Sequence, residues 1–395
     1  MKMILSDKVE FLISRLNAGG HRADVVGGCV RDFLLGNVPG DYDMTTDATP
    51  EEMRTAFSDL RTVDTGIKHG TLTVILDSEP FEITTYRLDG EYSDNRHPDS
   101  VSFTRKLSED LARRDFTVNA MCYNPYDGLT DLFGGIDDLK NKVLRAVGNP
   151  ERRFCEDALR IMRALRFAAT LNFTIEEKTS DAIFKTAHLL KNVSAERIYT
   201  EWKKLLSGVG AHRILTDYSS VISEVIPELS GMKLASESSF SSADAKIREL
   251  SLFAMANTEG CEKKFLSAME GLRSDNKRKK FGEAVLSNYK EKTDTDTALN
   301  LLLIKVGEEC TRGIVDLKIL LGLSDISESE SLSRLLSSGV CYRISDMKIN
   351  GNDVANLGIR GKDIGEVLEK LLLEIAEGKV KNDRAALLSA VANFF

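Results

Sequence analysis

Two different periods run along this chain. Residues 7–16 carry Val9, Leu12 and Leu16 at helical spacing, and Gly19-Gly20 stops the run, which predicts an amphipathic helix. Thr49-Pro50-Glu51-Glu52 opens a second helix, with proline and acids in its first turn. Two strand-like runs follow, Thr71–Leu76 and residues 81–86, separated by a turn at Asp77-Ser78. Beyond Pro150 the pattern is helical almost throughout, with no convincing strand alternation. The predicted fold class is α+β in front, with a small mixed sheet, and all-α behind.

Residues 25–46, VVGGCVRDFLLGNVPGDYDMTT, read as a strand, a glycine turn, a short helix and a second strand. Asp41 and Asp43 are two apart, so on a strand both carboxylates point to one face, where a metal ion could bind. Gly27-Gly28 offers bare N–H groups to a phosphate, and Arg31 on the first turn reaches the same anion. Taken singly, the glycines make a tight turn and the aspartates cap a loop. In residues 81–87, FEITTYR, Phe81, Ile83 and Thr85 face one way and Glu82 the other. Glu82 is then either an exposed strand acid or a third carboxylate.

Residues 88–108 are polar and irregular, and a stretch of that length inside a compact domain is more often functional than idle. Arg113-Arg114-Asp115 follows, which by itself is a surface ion cluster. Gly134-Gly135 reads as a hinge between the front domain and the rest.

Residues 156–169, EDALRIMRALRFAA, predict one helix. Ile161, Met162, Leu165, Ala168 and Ala169 share a buried arc; Asp157, Arg160, Arg163 and Arg166 share the opposite one. Such a charged face is ordinarily solvated and laced by i,i+3 pairs. Its chemistry also suits base recognition. Cytosine and adenine present an amino donor beside a ring-nitrogen acceptor, whereas uracil and guanine present a carbonyl beside a ring N–H. An aspartate only accepts and a guanidinium only donates, so Asp157 with Arg160 complements C and A and opposes U and G.

In combination these motifs resemble the DNA polymerase β-like nucleotidyltransferases. Residues 25–46 are similar to the GGxVRDxLLGxxxxDxDxxT signature of class II tRNA CCA-adding enzymes and bacterial poly(A) polymerases, EITT to their third-carboxylate motif, RRDFTVNAM to a second motif, and EDALR to EDxxR. The resemblance implies catalytic Asp41, Asp43 and Glu82, with Asp41 and Asp43 as ligands of Mg²⁺ ions. It implies nucleotide contacts by Gly28, Arg31, Arg114, Asp157, Arg160, Arg163 and Arg166, with Asp115 and Asn119 shaping the ribose pocket. Residues 194–206 resemble a segment that buttresses the neck, and the stretch from Ile349 onward resembles a tRNA-holding tail. The implied domains are a nucleotidyltransferase head at 1–147, then an all-helical neck at 148–210, body at 211–340 and tail at 341–395.

The implied reaction is template-independent addition of CCA to tRNA 3′ ends from CTP and ATP. The alternatives are a bacterial poly(A) polymerase, a partial CC- or A-adding enzyme, or an RNA-binding protein without catalysis. The net charge of -8 argues against indiscriminate nucleic-acid binding, so tRNA must meet a local basic surface, for which Lys277-Arg278-Lys279-Lys280 is a candidate. The six cysteines show no metal-ligand spacing and suit a reducing compartment. None of the five histidines precedes an aspartate, so no HD phosphohydrolase motif is present. With no apolar leader or membrane-length span in the sequence, the expectation is a cytoplasmic protein, without membrane contact or a stable protein partner.

Overall fold

The computed structural model describes residues 2–90, 101–256, 260–392 and 394. The chain divides into two compact units, residues 1–225 and 226–395.

The first unit is built on a seven-stranded mixed sheet. Its strands are β1 (Ala23–Val26), β2 (Met44–Thr46), β3 (Arg61–Val63), β4 (Thr71–Leu76) and β5 (Glu79–Thr85), and, after a separate ribbon of β6 (Arg87–Asp89) and β7 (Val101–Phe103), β8 (Met121–Asn124) and β9 (Gly128–Asp131). The order across the sheet is β3-β4-β5-β2-β1-β8-β9. The β2–β5 pair is parallel, in register Met44↔Ile83, while β1 pairs antiparallel with both β2 and β8. The expected turn between β4 and β5 is present, with Asp77 and Ser78 at positive φ, as a tight hairpin requires.

Helices cover the sheet. α1 (Asp7–Ala18) buries Val9, Leu12, Ile13 and Leu16, α2 (Gly28–Leu34) follows the glycine turn, and α3 (Pro50–Ala56) starts with a complete capping box between Thr49 and Glu52. Under β1 the buried Asp24 carboxylate is satisfied by Arg22 and by the Tyr86 hydroxyl, which donates at 2.8 Å.

Next come α4 (Leu107–Ala112), α5 (Gly135–Lys140), α6 (Pro150–Glu156), α7 (Leu159–Leu171), α8 (Glu177–Thr186) and α9 (Ala195–Leu206). Two expectations fail here. Gly135 is no hinge: an added Cβ would lie 2.4 Å from the Thr117 carbonyl oxygen, and Asp131 accepts from the N–H groups of Phe133, Gly135 and Ile136, so the segment is locked. The region past Pro150 is also not free of strand, because Thr174–Ile175 pairs in parallel with Val143–Leu144. Gly208 closes the α7–α9 packing, with no room for a Cβ above the backbone of Ala169 and Thr170.

The second unit is helical among its described residues. Close approaches at glycine set its packing. Gly282 lies under the Phe265 ring and Gly313 under Phe281. The segment Asp296–Leu320 is two helices joined across a kink at Gly307, where φ is 78°. Two apolar clusters fill it, one around Leu299, Leu303, Val315 and Leu332, the other around Val354, Leu371, Leu372 and Leu387.

Candidate active site

The glycine turn does what the sequence requires of it. Gly27 stands at φ 82°, a conformation that strains an L side chain, and caps α2 without any side-chain hydrogen bond. An added Cβ there would sit 3.2 Å from Arg114 Nη1, and at Gly28 3.6 Å from Arg31 Nη2. Bare backbone therefore lets two guanidinium groups approach the turn. Arg31 is buried, donates from Nη1 to Asn119 Oδ1 at 2.7 Å, and pairs with Asp32 at 2.8 Å. Arg114 lies 3.5 Å from Asp110, and among the described residues its Nε is buried without a hydrogen-bond partner.

Asp41 and Asp43 do not lie on a strand. They occupy the extended lead into β2, which begins at Met44, and the Asp43 carbonyl accepts from Val26 N–H at 3.0 Å. Asp43 immediately precedes Met44 and Glu82 immediately precedes its partner Ile83, so the parallel pairing places both acids at the same level of the sheet. Burial pushes the Asp43 carboxyl above its ordinary value, Asp41 and Glu82 push it further, and Arg114 opposes them. Among the described residues, no three His, Cys, Asp or Glu side chains are gathered into a ready-made metal site. Asp41 and Glu82 thus act on Asp43 electrostatically, and all three residues keep part of their surface exposed while the Asp43 carboxyl is partly desolvated.

The predicted base-reading helix is broken. α6 ends at Glu156, Asp157 is extended at φ -137° and ψ 103°, and α7 starts two residues later. At the break Asp157 Oδ1 accepts from Leu159 N–H at 3.1 Å, a local side-chain-to-backbone turn that competes with continuing the helix. Asp157 and Arg160 do stand one turn apart, Arg160 N–H donating to the Asp157 carbonyl at 3.0 Å, but not on a solvated arc. Arg197 on α9 donates to Asp157 at 2.9 Å. Arg160 is buried and donates to Glu156 at 2.9 Å and to the carbonyls of Arg153 and Arg113.

Arg163 donates from Nε to Asp115 Oδ2 at 2.8 Å, and Arg166 to Glu201 at 2.8 Å. Burial alone would push the Asp115 carboxyl up, but Arg163 and the Asn119 amide outweigh it and hold it at about 2. Arg166 is pulled below its usual range by burial and by Arg163, against the pull of Glu201. The sequence reading missed Arg197, Glu156 and Glu201 as partners of this arc. Only the i,i+4 spacing of Arg197 and Glu201 on α9 hinted that the two act on one face.

Arg278, the second residue of the basic run, is also not a free phosphate contact. It is buried against Glu249, to which its Nε donates at 2.9 Å. Residues 91–100 of the polar stretch expected to be functional lie outside the described residues; its flanks include the β6–β7 ribbon.

Three family models match in chain order: "Poly A polymerase head domain" over residues 23–145, "Probable RNA and SrmB- binding site of polymerase A" over 172–230, and tRNA nucleotidyltransferase domain 2 over 247–391. The CCA-adding enzyme of Lactobacillus helveticus is 35% identical over 383 residues, covering 95% of this chain and 94% of the relative. That of Ligilactobacillus salivarius is 36% identical over 409 residues, with the same coverage. The chain belongs to the CCA-adding enzymes. Among solved structures, the Bacillus stearothermophilus CCA-adding enzyme in complex with CTP matches with a TM-score of 0.82 at 29% identity, covering 99% of this chain and 98% of that one. The Thermotoga maritima CCA-adding enzyme complexed with tRNA shares the fold, with a TM-score of 0.68 at 23% identity and 96% of its chain covered. Members of the nucleotidyltransferase family generally use divalent metal ions. Among the described residues, no helix is long and apolar enough to cross a membrane.

Proposed function

We propose that this chain builds CCA on tRNA 3′ ends from CTP and ATP, without a nucleic-acid template and with release of pyrophosphate, in the cytoplasm. The observation that carries this reading is the match to CCA-adding enzymes along 95% of the chain, from head to tail. The domains we assign are a head at 1–147, a neck at 148–210, a body at 211–340 and a tail at 341–395. The compact-unit boundary after residue 225 falls inside that body.

In this reading Asp41, Asp43 and Glu82 are the catalytic carboxylates, and Asp41 and Asp43 hold the metal. A donor set made only of carboxylate oxygens suits Mg²⁺. The raised Asp43 carboxyl, beside two further acids and a single opposing arginine, fits a site that takes up positive charge. When bound, the ions favour the ionised 3′-hydroxyl and offset charge on the departing pyrophosphate. The tRNA 3′ oxygen, its proton passed to solvent, forms the new bond to the α-phosphorus as the bond to the bridging oxygen breaks, and pyrophosphate leaves with that electron pair. Gly28, Arg31 and Arg114 receive the phosphates, Asp115 and Asn119 shape the ribose pocket, and Arg163 and Arg166 reach the nucleotide. Positioning and charge stabilisation do most of the work.

Asp157 and Arg160 read the base. Carboxylate oxygens offer about four acceptor sites, and Leu159 and Arg197 take two of the Asp157 set, so acceptor capacity remains for an amino group of C or A.

The two polymerase A models over head and neck favour poly(A) polymerase as the second reading. Purified protein offered a tRNA ending before CCA, with CTP and ATP separately and together, separates them. Two C additions followed by one A are expected. Long A tails identify the polymerase, arrest after CC a partial enzyme, and no extension an RNA-binding protein without catalysis.

A further inference from the structure

Three guanidinium groups surround one aromatic ring. Phe167 on α7 is buried, and from its ring centroid Cζ of Arg166 lies at 3.4 Å, that of Arg31 at 5.2 Å and that of Arg163 at 5.3 Å. Phe116 closes the ring edge-on, with centroids 5.8 Å apart at 77°. Arg31 comes from α2, directly after the glycine turn, while Arg163 and Arg166 come from α7 itself, so the ring joins cations from two separate elements.

Like charges brought this close repel, and each of the three has its own carboxylate: Asp32 for Arg31, Asp115 for Arg163 and Glu201 for Arg166. Asp115 also links Arg163 to Arg31 through the Asn119 amide, while Arg166 is bonded to Glu201. The Phe167 ring adjoins all three. Its negative faces attract guanidinium groups, and its bulk keeps water from between them. A branched aliphatic side chain fills similar space without that attraction.

We propose that Phe167 is a positioning residue for the incoming nucleotide: its ring fixes Arg31, Arg163 and Arg166 as one array, and the array receives the nucleotide. This rests on the assignment of those arginines to nucleotide binding. Phe167 itself touches no reacting atom, so its removal acts on binding and leaves the carboxylate centre in place.

The test is steady-state kinetics with CTP and with ATP for Phe167→Leu, Phe167→Met, Phe167→Tyr and Arg163→Met, with a melting curve for each. Leu and Met should raise KM for both nucleotides about tenfold with kcat within about threefold, and Tyr should hold KM within about twofold of wild type. Wild-type KM in the Leu and Met variants, or a Tyr variant as impaired as they are, overturns the proposal. So does loss of kcat in step with loss of melting temperature, the mark of a packing residue. If Arg163→Met raises KM while Phe167→Leu does not, the nucleotide assignment stands and the role of Phe167 falls. If Arg163→Met leaves KM unchanged, the arginines do not hold the nucleotide, and both fall.

Discussion

Arg197 Nη2 donates to Asp157 Oδ2 at 2.9 Å, across 40 residues of sequence. The contact ties the break between α6 and α7 to the face of α9, and it fixes the direction in which the remaining Asp157 lone pairs point. In the proposed reading Asp157 is a base-reading acceptor, which must be held in orientation, and this guanidinium holds it.

Asp157→Ala should therefore relax selectivity, letting UTP or GTP compete, because the acceptor that opposed their carbonyls is gone. The CTP-over-UTP preference in kcat/KM is expected to fall at least about tenfold. Arg197→Met should lower it in the same direction by a smaller factor. A slower enzyme with intact selectivity would mean that the base is read elsewhere.

Asp43→Ala should abolish both C and A addition while tRNA affinity, measured by filter binding, changes little. A residual kcat above about one hundredth of wild type, corresponding to roughly 2.7 kcal/mol of lost stabilisation, would sink the metal assignment.

The Asp115 carboxyl sits at about 2 in the folded chain, against an ordinary 3.8. A depressed folded value stabilises above the unfolded one, so the contribution is complete above about pH 4 and disappears as pH falls through 2. Urea unfolding at a series of pH values should show this loss, on the order of 2 kcal/mol, in the native chain, and Asp115→Asn should flatten that part of the profile. An unchanged slope in the variant would assign the acid sensitivity to other carboxylates.

Replacing residues 91–99 with a short glycine linker should leave the two C additions nearly normal and stop the product before A. One pocket must take C twice and then the larger A, and the class II enzymes that this chain resembles use a flexible loop after the third-carboxylate strand to re-form it. A trimmed protein that completes CCA at the wild-type rate would make the stretch a connector only.

Where the sequence was legible, the signal was local. The helix start at Thr49-Pro50-Glu51-Glu52, the Asp77-Ser78 turn and the alternation that turns Glu82 away from Phe81 and Ile83 each lie within a few residues, and each stands as read. What was hidden depended on distant partners. The arginine face of α7 looks solvated by periodicity, yet it is half-buried because Asp115 lies 48 residues from Arg163 and Glu201 lies 35 from Arg166. Arg278 looks free within its basic run because Glu249, which pairs with it, is 29 residues away. The helix break at Asp157 and the off-strand position of Asp41 and Asp43 were missed for another reason. A local side-chain-to-backbone turn and a lead-in outside the strand leave no trace in hydrophobic period.

The sheet order carries a last consequence, for the time at which this protein becomes competent. β1 pairs with β2 about twenty residues later, but its other edge waits for β8, in register Val25↔Tyr123, and β2 waits for β5. The carboxylates thus acquire their neighbouring strand once the chain has passed residue 85, and the glycine turn only beyond residue 124, whereas most helices of the second unit pair with near neighbours. Pairings of such long sequence separation form slowly and late. On the ribosome, the half of the molecule synthesised first has the harder folding problem, and a nascent chain arrested before β8 would carry the signature residues without a pocket to put them in.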